Sequence, residues 1–121
     1  MTYEQILADI KKRVFHPIYF LMGEEPFFID TISNELEDTI LDEAERSFNQ
    51  VVLYGSDVNV KDIMTQARAF PMMGEHLVVI VKEAQNVKDI ESLADYLDKL
   101  PSTTILIICY KYKKIDKRRA L

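Results

Sequence analysis

The chain has 121 residues, 48% of them hydrophobic and 29% charged, with a formal net charge of −5. That balance suits one soluble globular domain and argues against disorder. No apolar run nears the ~18 residues of a membrane span, the N-terminus lacks the apolar core of a secretory signal, and the single Cys109 excludes an internal disulfide and a cysteine-based zinc site, pointing to a reducing cytoplasm.

In chain order, residues 3–14 predict an amphipathic helix with Tyr3, Ile6, Leu7, Ile10 and Val14 on one stripe, stopped by Pro17. "IYFLM" (18–22), closed by Gly23, predicts a strand buried on both faces. A helix is expected from Pro26, which suits the first helical position, with Phe27, Ile29, Ile32, Leu36 and Ile40 inward. "FNQVVLYG" (48–55) reads as a second strand. "SDVNVKDIMTQARAF" opens with capping residues and reads as a helix to about Ala69. "HLVVIVKEA" (76–84) is the clearest strand, 87–100 an amphipathic helix closed by Pro101, and "TTILIICY" (103–110) another doubly buried strand. Four apolar strands alternating with helices predict an α/β fold, a parallel sheet flanked by helices.

Charge is distributed unevenly. Residues 111–121, "KYKKIDKRRAL", hold six basic groups against one acid, leaving nine basic and nineteen acidic groups in the rest. The basic tail fits either the start of a solvated helix or a contact with nucleic acid or an acidic partner. The acidic body opposes stand-alone DNA binding, because phosphates would be repelled over most of the surface. The end, "DKRRAL", lies in a helix-compatible run without glycine, proline or polar taper, so residues 1–121 are expected to be one domain, the N-terminal part of a longer chain.

In a parallel α/β sheet, ligands bind at the carboxyl ends of strands, and the turn after strand one is the first place to look. A phosphate loop needs several glycines, a lysine and a Ser or Thr for magnesium. "GEEPFFID" offers one glycine, no lysine and no hydroxyl before Thr31. Glu24 and Glu25 would repel a polyanion, by about a kcal/mol at ~4 Å even in bulk water. Pro26 removes one of the N–H donors of the helix N-terminus. Gly23, Glu24, Glu25 and Pro26 therefore mark a degenerate phosphate-loop position, with the two acids complementing the helix dipole. The third strand ends "VIVKEAQ", where Lys82 replaces the first acid expected of an active nucleotidase and only Glu83 remains. No nucleotide or metal cofactor is expected.

The passages "IYFLMGEEPFFIDTISNEL", "VVLYGSDVNVKDIMTQARAFPMMGEHLVVIVKEAQ" and "TTILIICYKYKKIDKRRAL" resemble, in order and spacing, the N-terminal domain of the delta-subunit family of bacterial DNA polymerase III clamp loaders. The resemblance spans about Ile18 to Leu121. It implies a P-loop ATPase-like fold of the AAA+/RecA-like kind that has lost nucleotide binding, with lid and collar domains absent from these residues. It implies a non-catalytic role in DNA replication: gripping the sliding clamp (the beta subunit) through an exposed hydrophobic element and helping to open the ring. The other implied partners are the gamma/tau and delta-prime subunits, with DNA reached only through the complex.

One segment fits that role on its own chemistry. Phe70, Pro71, Met72 and Met73 form an apolar run between a helix and strand three, where connections normally face water. Methionine offers large, adaptable apolar surface. In the family an apolar pair before this strand enters the clamp's groove, and the carry-over falls on Met72 and Met73, with Phe70 as a third anchor. The competing reading packs Phe70 and one methionine beneath the sheet.

The other candidates are plainer. His16 and His76 lack cysteine neighbours and read as turn or surface histidines rather than metal ligands. Cys109 reads as an inert core thiol. Tyr110 and Tyr112, alternating with Lys111 and Lys113, fit a stacking strand for single-stranded DNA or a strand end entering a charged helix. Three rival functions remain open at this level. A phosphoacceptor receiver would use Glu24, Glu25, Asp57 and Lys111, although Asp57 follows strand two rather than strand three. A P-loop nucleotidase with a divergent loop and a purely architectural module are the others.

Overall fold

The structure, a computed structural model, describes residues 2–111. Helix α1 (Tyr3–Lys11) leads into strand β1 (Ile18–Gly23), then helices α2 (Pro26–Thr39) and α3 (Glu43–Asn49). Strand β2 (Gln50–Tyr54), helix α4 (Val60–Ala67) and strand β3 (Leu77–Lys82) follow. A 3-10 turn (Ala84–Asn86), a 3-10 helix (Ile90–Lys99) and strand β4 (Thr104–Lys111) complete the described residues.

All strand pairs are parallel, in the order β1-β4-β3-β2. Ile18 of β1 faces Leu106 of β4, which in turn faces Val79 of β3. The two central strands are apolar on both faces because helices cover both sides. Leu77, Val79, Val81, Leu106, Ile108 and Tyr110 pack under α4 and the 3-10 segments. The alternate residues Val78, Ile80, Ile105, Ile107 and Cys109 pack under α1 and α2. Cys109 lies in that second layer, and burial raises its thiol pKa. Alkylation by iodoacetamide at neutral pH is expected to be slow in the native protein and fast in urea, checked by mass spectrometry.

Local chemistry sets the helix ends. Thr2 and Gln5, Asp42 and Glu45, and Asn59 and Asp62 each form a reciprocal capping box, for α1, α3 and α4 respectively. The C-terminal end of α2 is capped from a distance: Arg13, itself left-handed at φ 59°, donates to the carbonyls of Thr39 (2.9 Å) and Ile40 (3.1 Å).

Several expectations are corrected. Helix α1 stops at Lys11, so Val14 lies outside it and is exposed. Among the described residues strand β1 is paired on one side only, with Met22 exposed rather than buried. Phe27 points outward at 67% exposure, stacked edge-on against Phe28, because Ile29, Ile32, Ser33 and Leu36 form the inward face of α2. Phe48 and Asn49 belong to α3, not to β2. Helix α4 starts at Val60, four residues later than Ser56 suggested, since Asn59 is the residue that caps it. The segment expected as an α-helix over 87–100 is a 3-10 helix, whose three-residue turn aligns Ile90, Leu93 and Tyr96. The helix expected after residue 110 lies outside the described residues.

Strand order also corrects the receiver alternative. In a receiver-type sheet, ordered 2-1-3-4-5, strands one and three are neighbours. Here β4 separates them, and Asp57 sits in an exposed turn beyond the edge strand β2.

Candidate functional site

Because every strand runs the same way, the sheet has one carboxyl end and one amino end, and the candidate residues divide between them. At the carboxyl end, β1 reaches Gly23 and α2 begins at Pro26, so only Glu24 and Glu25 connect them. Two residues cannot wrap a phosphate as a glycine-rich loop does. Glu24 and Glu25 are exposed, and Glu25, although it occupies the N-cap, makes no side-chain capping bond. The expected dipole complement thus comes from their charge alone, without hydrogen bonding.

Beside this turn lies a cleft of about 330 Å³ lined by Asp30, Ser33, Tyr54, Lys82, Glu83 and Lys111, among others. Its cations meet carboxylates of the same chain. The Lys111 ammonium lies 2.7 Å from Asp30 and 3.6 Å from Glu83, and that of Lys82 lies 3.5 Å from Glu37. Lys82, expected to replace the first acid of a nucleotidase, is part of an internal ion pair. Glu83 adopts a left-handed backbone (φ 54°), its carbonyl accepting from Asn86 at 3.0 Å. Gly55 passes so close to Glu83 that a Cβ would overlap its carbonyl oxygen, so glycine is required where β2 leaves the sheet. Tyr110 is buried against Phe20, with ring centroids 6.0 Å apart, and is not available as a stacking platform for a base. Tyr112 and Lys113 lie outside the described residues.

The apolar run sits at the opposite, amino end, in the connection from α4 to β3. Phe70 is 73%, Met72 63% and Met73 95% exposed, while Pro71 is half-buried. Both methionines and Phe70 face water, so the competing core reading does not hold for them. The tip is nevertheless anchored. Asn49, 1% exposed at the end of α3, accepts from the Met72 N–H at 2.6 Å and donates to the Met72 carbonyl at 2.9 Å. At the base, the Thr104 hydroxyl donates to the Ala67 carbonyl at 2.7 Å, tying the end of α4 to β4. Met73 is left-handed (φ 55°), and Gly74 then crosses α3 closely: a Cβ there would stand 3.0 Å from Glu45 and 3.1 Å from Asn49.

Asn49 went unnoticed in the sequence because its partner lies 23 residues away. The helix that carries it was not among the expected elements, although Asp42 and Glu45 stand at a capping-box spacing. His16 and His76 are not brought together with other ligands: His16 faces Asp9 at 3.4 Å, and among the described residues no group of three or more His, Cys, Asp or Glu side chains could hold a metal. Among the described residues no helix is long and apolar enough to cross a membrane.

Comparison with known proteins gives consistent results. A structure of a Bacillus subtilis DNA clamp loader delta protein superposes with a TM-score of 0.82 at 24% identity, covering 97% of this chain and 38% of that one. A DNA polymerase III gamma subunit-related protein from Thermotoga maritima gives a TM-score of 0.61 at 17% identity, covering 100% of this chain and 42% of that one. These likenesses show that the chain shares its α/β fold with those two proteins. The DNA polymerase III subunit delta of Bacillus subtilis (strain 168) is 27% identical over 126 residues, across 96% of this chain but 36% of its own length. The chain therefore spans little more than a third of that curated relative. The family described as "DNA polymerase III, delta subunit" matches residues 19–121. Since that match takes in all but the first eighteen residues, the chain belongs to the DNA polymerase III delta-subunit family.

Proposed function

We propose that this chain is a non-catalytic gripping domain of a bacterial clamp loader, acting in DNA replication by docking its amino-end tip into an apolar groove of the sliding clamp. The observation that carries this reading is the exposure of Phe70, Met72 and Met73 on a loop whose backbone is fixed by a buried side chain. Exposed loops of a soluble domain seldom present three large apolar side chains in sequence without a partner for them. Phe70, Met72 and Met73 are the contacts, with Pro71 shaping the turn between them.

The carboxyl end supports the absence of catalysis. A two-residue first turn and two lysines already paired with carboxylates offer neither a cradle nor uncommitted charge for a triphosphate. The remaining partners in this reading are the gamma/tau and delta-prime subunits, with DNA engaged through the assembled loader, in the bacterial cytoplasm. Mixing the chain with its cognate ring and resolving the mixture by size-exclusion chromatography tests the proposal: co-elution is expected, and separate elution at micromolar concentrations would overturn it. Titration with ATP and magnesium in a calorimeter is expected to give no saturable heat up to about 1 mM, an affinity of ~4 kcal/mol or less. Saturable binding well below that concentration would favour the divergent nucleotidase instead.

A further inference from the structure

The tip is a loop, yet both polar groups of one of its residues are bonded to a single side chain. Asn49 is almost wholly buried, and its carboxamide uses its oxygen for the Met72 N–H and its nitrogen for the Met72 carbonyl. This is the pairing that a neighbouring strand would make, supplied instead by the last residue of α3. The hydrogen bonds fix the plane of the peptides on either side of Met72, and the left-handed Met73 then fixes where the next side chain leaves the backbone. Gly74 keeps the return path flat against Glu45 and Asn49.

We propose that Asn49 is a positioning residue for partner binding, holding Met72 and Met73 projected before the ring arrives. The inference rests on the tip's being the ring contact. Its physical basis is that a loop ordered in advance loses less conformational freedom on docking. An asparagine buried only to stabilise the fold could bond any nearby backbone group. Both ends of this one bond the residue between Pro71 and Met73, within the exposed run.

The test compares two variants of the intact protein. Asn49→Ala is expected to bring amide exchange at Met72 close to the rate of an unstructured peptide and to weaken ring binding roughly tenfold or more. The double substitution Met72→Ala with Met73→Ala is expected to keep protection at position 72 while losing ring binding. Should Asn49→Ala perturb folding, Asn49→Asp retains the acceptor for the Met72 N–H and removes the donor to its carbonyl. Its affinity is expected to fall several-fold below wild type, with faster amide exchange in the tip, and wild-type affinity and exchange would overturn the proposal. Unchanged protection at Met72 in Asn49→Ala would overturn the proposal. So would lost protection with full ring affinity, provided the methionine variant fails to bind. If the methionine variant binds normally, the contact assignment itself is wrong and this inference falls with it.

Discussion

Replacing Met72 and Met73 together by alanine is expected to weaken binding to the sliding clamp by about a hundredfold or more, with little change in thermal unfolding. Each side chain taken from water into an apolar groove contributes roughly 1.5–3 kcal/mol, which places both in the range of interface hot spots. The same side chains contribute little to the fold because they are exposed, Met73 almost completely. Surface positions of that kind usually shift stability by less than about 0.5 kcal/mol. Most of the loss is expected in the dissociation rate, as for most interface truncations. Surface plasmon resonance with immobilised ring, alongside calorimetric melting, measures both. A folded double variant with undiminished affinity would refute the contact assignment.

The opposite pattern is expected for Leu106→Ala. Leu106 is fully buried in β4, between Ile18 of β1 and Val79 of β3 in the register of the sheet. Truncating a leucine in such a place removes its transfer energy and leaves a cavity, costing about 2–5 kcal/mol. For a domain of this size that lowers the melting temperature by roughly 10 °C or more. Well below the melting transition, ring affinity is expected to stay within about twofold of wild type, because the contact side chains and Asn49 are untouched. A loss below about 1 kcal/mol in urea unfolding would mean that β4 is not the centre of the sheet. Together the two substitutions separate the residues that build the scaffold from those that face the partner.

Much of this architecture was legible in the chain. Runs such as "HLVVIV" and "TTILIIC" announced central strands, because only positions buried on both faces can be apolar without alternation. The short first turn was legible too, since Gly23 and Pro26 bracket the two residues that join β1 to α2. Exposure of at least one methionine followed from their place in a connection, whereas the structure exposes both, and Phe70 with them. What escaped notice was set by tertiary geometry. Phe27 fits an inward stripe by hydropathy, yet Ile29, Ile32 and Leu36 already fill that face, and Phe27 is left outside. The 90–99 segment has spacings compatible with both helix types, and packing of Ile90 and Leu93 against the sheet decides between them. Asn49 could not be recognised before its loop was folded over it.

The parallel sheet has a mechanical consequence. Strand β3 runs from the methionine tip at one pole to the lysine-lined hollow at the other, and its six residues span roughly 20 Å. Screening at physiological ionic strength, ~8 Å, damps electrical influence over that span. Altered charges around Lys82 should therefore leave the hold on the ring unaffected, so the hollow could be remodelled without loosening the grip.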